Sequence, residues 1–207
     1  MTLRLTPEDD LAPLVEALRA GEAGVLPTDT VYGLACAAHL EDACERTLAL
    51  KGRDLSKPTS IIGASLSIVF TRVLGDLRGR PLEQAKRLLP GPVTVIVPNT
   101  AGVFPWLCGD DPSRIGVRVP VLLPAVAHAI DRVGVIAATS ANMAGSPDPV
   151  TLDEVPDEIL EHVAVAVDAG RAPAGMPSTV VDVTGPEPVI LREGALSERD
   201  VHEMLAL

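Results

Sequence analysis

Aromatic residues are scarce. Tyr32, Phe70, Phe104 and Trp106 make up 2% of the 207 residues, too few rings for a platform that stacks the bases of a single strand. Cations are outnumbered, 17 Lys and Arg against 28 Asp and Glu, for a formal charge of −11. Such a surface repels phosphate backbones and anionic lipid at long range, which predicts weak or no direct nucleic-acid binding and no membrane partner, while allowing a local basic pocket. The three cysteines, Cys36, Cys44 and Cys108, form neither a CxxC pair nor an even set; they are expected as buried thiols of a reducing, cytoplasmic compartment. His39, His128, His162 and His202 are scattered and are expected as surface or packing residues, so no metal site is predicted. MTLRLTPEDD has no basic stretch followed by an apolar run, the pattern of an export signal. The longest uncharged stretch, 88–109, holds four prolines and three glycines, too broken for a membrane helix.

Motifs are missing as well. There is no GxxxxGK[ST], no GxGxxG after a strand, no HExxH and no GxSxG, which removes the P-loop, the dinucleotide fingerprint, the zinc protease helix and the nucleophile elbow.

What remains is a chain 47% hydrophobic, long enough to bury a core of Ala, Val, Leu and Ile as one domain over 1–207. Thr6-Pro7 reads as a helix start, followed by Leu11, Leu14, Val15 and Leu18 at helical spacing with Gly21 as the stop. A short strand is predicted at 24–26 and a helix over about 41–51. Runs rich in β-branched residues predict strands at 59–63, 93–97, 115–119, 133–138, 163–167, 179–183 and 188–191. Helices are predicted at 81–89, 121–132 and 151–162, the last with Thr151 and Glu154 as a capping box, and from Ser197 to the end of the chain. Alternating strands and helices predict an α/β layer fold around one sheet. Successive strands near the C-terminus predict that part of it is antiparallel.

Lysine occurs three times, at 51, 57 and 86, and two of these flank Arg53 in KGRDLSKP, residues 51–58. Three cations within seven residues of an acidic chain suggest an anion site, the guanidinium supplying a planar fork and the ammonium a point charge. Cations answering a helix C-terminus would account for Lys51 and partly for Arg53, but not for Lys57 beside a proline. In IGVRVP, residues 115–120, the period of two places Ile115, Val117 and Val119 on one face and Gly116 with Arg118 on the other. That leaves room for a ligand carboxylate or phosphate against bare backbone, unless the strand is an edge with a solvated arginine. The hydroxyl-rich turns at 27–30, 139–142 and 177–179 either bind ligand beyond strand ends or bond their own backbone.

Taken together and in order, PTDTVYGL (27–34), KGRDLSKP (51–58), LPGPVTVIVP (89–98), IGVRVP (115–120), ATSANMAG (138–145), STVVDVTG (178–185) and ILREGA (190–195) resemble the YrdC-like family of threonylcarbamoyl-AMP synthases in its short form. The resemblance implies a single-domain α/β fold, a twisted mixed sheet flanked by helices with a concave, positively charged cavity. It implies condensation of L-threonine, bicarbonate and ATP, with Mg2+ accompanying ATP, to threonylcarbamoyl-adenylate and pyrophosphate. The threonylcarbamoyl group is then placed on tRNA, which implies proteins of that transfer machinery as partners; monomer or homodimer stays open. By the same resemblance Lys51, Arg53, Lys57, Ser140, Asn142 and Arg192 face ATP. Thr30, Tyr32, Arg118, Ala138 and Ser178 surround threonine, and Lys51, Arg53 and Arg118 carry the catalysis.

Two positions depart from the pattern. Some members carry His where Ile62 stands and Ser where Asp148 stands, which puts the substrate detail in question. The chain ends at Leu207 without the C-terminal domain of longer members, implying a more open cavity. Alternatives are a relative that binds RNA, one that takes carbamoyl phosphate, and one acting on another amino acid.

Overall fold

Short apolar runs punctuated by Gly and Pro build one ten-stranded mixed sheet in the computed structural model, which describes residues 1–206. Leu207, to which the final helix was expected to reach, lies outside the described residues. The strands are β1 (Leu3–Leu5), β2 (Gly24–Pro27), β3 (Tyr32–Ala37), β4 (Ser60–Gly63), β5 (Val93–Pro98), β6 (Arg114–Arg118), β7 (Val135–Ser140), β8 (Val165–Val167), β9 (Thr179–Asp182) and β10 (Val189–Arg192). The helices are α1 (Ala12–Arg19), α2 (Glu41–Leu50), α3 (Leu66–Val69), α4 (Arg80–Leu88), α5 (Pro124–Val133), α6 (Asp157–Leu160) and α7 (Glu198–Ala206).

Across the sheet the order is β1-β8-β2-β3-β7-β4-β6-β5-β9-β10. Antiparallel pairs dominate its middle, β2 with β3, β3 with β7 and β7 with β4, and β9 with β10 close it at the C-terminal side as expected. Strand alternation sorts the side chains to two faces. One face buries Ile61, Val95, Ile115, Val117 and Ala137 against α2, α4 and α7. Its continuation, with Val25, Leu34 and Tyr32, packs on the segment containing Leu152, Ile159 and Leu160. On the other face α1 and α5 cover Leu26, Ala35, Ile136 and Val165. That cover sits over β8, β2, β3 and β7, and over the strands beyond them the same face is open as a cavity. The half-covered sheet is what gives this protein a site.

Three expectations need correction, and several elements were not expected. The first helix starts at Ala12, not at Thr6-Pro7. Thr6 and Asp9 instead close a turn of their own, the Asp9 carboxylate accepting from the Thr6 N–H at 2.7 Å and its hydroxyl at 2.9 Å. Residues 151–162 are not one helix, because Pro156 lies between a 3-10 turn at Leu152–Glu154 and the short α6. Glu154 accepts from the Val150 N–H at 2.8 Å, and Thr151 makes no side-chain cap, so the capping box is absent. β3 was not expected because all six of its residues are buried and no alternation of polar and apolar marks it. The edge strand β1, the short α3 and the π-helical turn at Phe70–Leu74 were not expected either.

Candidate active site

The cavity has a floor of strand residues from the open face and walls of loop residues. β6 is an interior strand, paired with β4 on one side and β5 on the other, so Arg118 is no solvated edge residue. Ile115 and Val117 point into the core as the period of two predicted, and Arg118 points into the cavity. Ile62, Thr94, Ala138 and Ser140 join it from β4, β5 and β7. Among the described residues of this lining, Arg53, Arg118 and Arg192 are the cations and Asp148 the carboxylate. The void measures about 670 Å3 counted out to its mouth.

Arg118 is 7% exposed. Its Nη2 donates to Asp29 Oδ1 at 2.6 Å and to Thr30 Oγ1 at 2.9 Å. Asp29 is itself buried, and its second oxygen accepts from the Val121 N–H at 3.0 Å. Burial pushes the Asp29 carboxyl up, against the pull of Arg118 and the Val121 N–H. Thr30 is fixed in turn by Thr28, their hydroxyls 3.0 Å apart. One end of the guanidinium is thus tied down, while Arg118 Nε is buried without a partner. A buried unpaired donor costs about 1–3 kcal/mol, so the Nε edge is set to receive an acceptor.

Arg53 and Arg192 approach from the other side. Arg53 Nη2 donates to the Pro58 carbonyl at 2.8 Å, closing the KGRDLSKP turn on itself, and its Nε is also buried without a partner. Burial and the neighbouring Arg192 both work against its charge, yet a guanidinium stays protonated, so the two leave an unneutralised positive field. Arg192 Nε and Nη2 hold the Ser178 carbonyl at 3.1 and 2.7 Å. The Ser178 hydroxyl lies 2.9 Å from that of Thr94. Gly194 backs this arrangement: a Cβ there would stand 2.2 Å from the Pro177 oxygen.

Lys51 does not reach the cavity. Its Nζ donates to the Ser140 carbonyl at 2.6 Å, the Ser140 hydroxyl at 2.9 Å and Asn142 Oδ1 at 2.5 Å, three acceptors for three protons. Burial and Arg53 bring its pKa down to about 8, with Asp148 pulling the other way. Asn142 is likewise occupied, donating to the Ser146 carbonyl at 2.5 Å. These two residues shape the turn that presents Ser140 and do not line the void. Lys57 is exposed and lies outside the lining too. Tyr32 points to the opposite face, where its hydroxyl donates to the Gly170 carbonyl at 2.7 Å and accepts from the Ala169 N–H at 3.0 Å. Of the residues expected around substrates, the structure brings together Thr30, Arg53, Arg118, Ala138, Ser140, Ser178 and Arg192.

Sequence reasoning passed over Asp29, Thr59, Ser60 and Thr94. Thr94 was legible in principle, as the polar residue at an alternate position of Val93-Thr94-Val95. Asp29 was read as a turn residue because its partner is 89 positions away. Ile62 is buried and presents an apolar wall beside Arg118. A second void adjoins the first, about 1060 Å3 to its mouth, with Ile96, Val180 and Leu191 along it and Arg53 and Arg192 shared between the two. Among the described residues no three His, Cys, Asp or Glu stand together as a metal cage. All four histidines are exposed and all three cysteines buried and free.

Comparison with known proteins bears on the family and the fold. The family model Sua5/YciO/YrdC, described as "Telomere recombination", matches residues 16–194. A putative threonylcarbamoyl-AMP synthase of Mycobacterium tuberculosis is 33% identical over 193 residues, covering 93% of this chain and 88% of that protein. The crystal structure of Pyrococcus abyssi Sua5 complexed with L-threonine superposes with a TM-score of 0.86 at 28% identity, covering 99% of this chain. This chain spans 60% of the length of that one. Escherichia coli YciO superposes with a TM-score of 0.79 at 26% identity, covering 94% of this chain and 95% of its own. With a model match over most of its length and relatives at this level of identity, the chain belongs to the Sua5/YciO/YrdC family.

Proposed function

We propose that the chain is a threonylcarbamoyl-AMP synthase, a nucleotidyltransferase that condenses L-threonine, bicarbonate and ATP into threonylcarbamoyl-adenylate and pyrophosphate for tRNA modification. The observation that carries this reading is the state of Arg118, a cavity-lining guanidinium tied at Nη2 by Asp29 and Thr30 and buried without a partner at Nε. A carboxylate oxygen suits that remaining Nε–H as the acceptor of a charge-assisted hydrogen bond. The threonine complex of the Pyrococcus abyssi relative supports an amino acid as the occupant. Thr30 and Ser178 offer hydroxyls to its polar groups, and Ile62 and Ala138 an apolar wall to its methyl.

The nucleotide then lies toward the shared boundary of the two voids. Arg53 and Arg192 face the phosphates there, with Ser140 held at the rim by Lys51. The apolar residues of the second void, Ile96, Val180 and Leu191, suit the base. Mg2+ would accompany ATP as its counter-ion, and Asp148 in the first void and Asp110 and Asp111 in the second are the lining carboxylates that would hold it. The amine nitrogen bonds the carbon of bicarbonate and water leaves. A carbamate oxygen then attacks the α-phosphorus and pyrophosphate departs. No side chain becomes covalently bound. Rate enhancement comes from holding the reactants together and from cations facing the developing phosphate charge. The protein works in the cytoplasm as a monomer or homodimer and hands its product to the tRNA threonylcarbamoyl-transfer proteins.

The deciding experiment incubates the protein with Mg2+, ATP, L-threonine and labelled bicarbonate and separates the products. Label and threonine in one adenylate, with pyrophosphate release that requires both, is the expected result. ATP binding without an adenylate would remove threonine as the substrate.

A further inference from the structure

The two voids meet at a neck, and the residues common to both linings are Arg53, Pro58, Thr59, Ser60, Thr94 and Arg192. This shared set holds two guanidinium groups and three hydroxyls and, among the described residues, no carboxylate. The floor beneath is bare: a Cβ built on Gly116 would lie 3.5 Å from Thr94 Cγ2 and 3.8 Å from Ser60 Oγ, so glycine leaves a notch between those side chains. Two polar atoms of the neck, Thr59 Oγ1 and Arg53 Nε, are buried without a partner. Thr94 has a proton to spare as well. The Ser178 hydroxyl accepts from Arg192 at 3.3 Å and can donate to Thr94 at 2.9 Å, which frees the Thr94 O–H.

We propose that this neck is the binding site for the one-carbon oxyanion, bicarbonate and the carbamate it becomes, with Thr59 as a donor to it. The inference rests on the reading of the site as a threonylcarbamoyl-AMP synthase and adds a location that reading left open. The carbon must bond the amine of an amino acid anchored at Arg118 in one void. The resulting carbamate oxygen must reach an α-phosphorus whose nucleotide extends into the other. The place common to both voids is the neck. A planar oxyanion there takes O–H and N–H donors, which the neck supplies in surplus. In the first step the amine nitrogen bonds the carbon while hydroxide leaves with an amine proton as water. The carbamate charge that remains stays opposite Arg53 and Arg192.

Thr59→Val is the test. It replaces an unpartnered buried hydroxyl by a methyl of the same shape, a change that is neutral or stabilising for the fold. Half-saturation by bicarbonate is expected to rise about tenfold, the equivalent of one hydrogen bond to a charged group. Threonine and ATP half-saturation should stay unchanged, and Thr59→Ser should restore the wild-type value. Gly116→Ala, whose added methyl makes only ordinary contacts, should raise bicarbonate half-saturation by filling the notch. Bicarbonate dependence unaltered in both variants overturns the placement, as does a parallel rise for all three substrates. Wild-type protein that forms no threonine-dependent adenylate overturns the reading of the site itself.

Discussion

Arg118 can carry a charge at the bottom of a cavity because Asp29 answers it and Asp29 is answered by a backbone N–H. Removing one member of a buried ion pair strands the other, at about 3–5 kcal/mol. Asp29→Ala is therefore expected to lower the unfolding free energy measured in urea by that much, with a lower midpoint, and to weaken threonine binding in calorimetry. Asp29→Asn, which keeps an acceptor for Val121, should lose less stability. An equal midpoint for wild type and Asp29→Ala would show the pair to be idle. Lys51 makes a second prediction. Its folded pKa is near 8 against an ordinary 10.5, so between those values the unfolded chain binds the extra proton and stability rises with pH. Lys51→Met should abolish that rise. With three lysines in the chain, the Lys51 side-chain NMR signal can be assigned by the same variant, and its titration midpoint is expected at about 8.

At the scale of the element, the site is held by close backbone approaches. The exit from β10 crosses the entry to β9 at Gly194, with Gly194 N–H and Leu196 N–H both donating to Thr179 Oγ1. A methyl at Gly194 would collide with the Pro177 and Ser178 carbonyls. Gly194→Ala should thus displace Ser178 and weaken threonine at least about tenfold, which corresponds to loss of one good hydrogen bond. Gly109 plays the matching part for KGRDLSKP. It has φ near +65° and its Cβ would stand 2.3 Å from the Ser56 oxygen. Gly109→Ala is expected to shift the turn carrying Arg53 and weaken ATP, not threonine, in the same calorimetric titration. Equal losses for both ligands would mean that the two ends of the cavity are not independently supported.

At the scale of the molecule, a charge of −11 coexists with a cavity lined by three arginines and one carboxylate. The exterior is expected to repel RNA, while the arginines of the cavity suit small anions. Gel-shift titration with tRNA at about 0.15 M salt, where screening reaches roughly 8 Å, is expected to show no complex. Retention of tRNA under those conditions would mean that a basic surface outside the cavity dominates.

The amino-acid sequence determined eight of the ten strands, all but β1 and β3, the helices α2, α4, α5 and α7, and the sorting of Gly116 and Arg118 to one face, because these depend on local periodicity and turn chemistry. Ordered motifs pointed to the family and to seven cavity residues. What only the tertiary structure decided depends on distant partners. The sequence could not pair Asp29 with Arg118 across 89 positions. Nor could it turn Tyr32 to the far face, or spend the Lys51 ammonium on Ser140 and Asn142 before it reached the cavity. A cation's sequence neighbours show that charge is present; which acceptor satisfies it is settled by burial and by the chain packed against it.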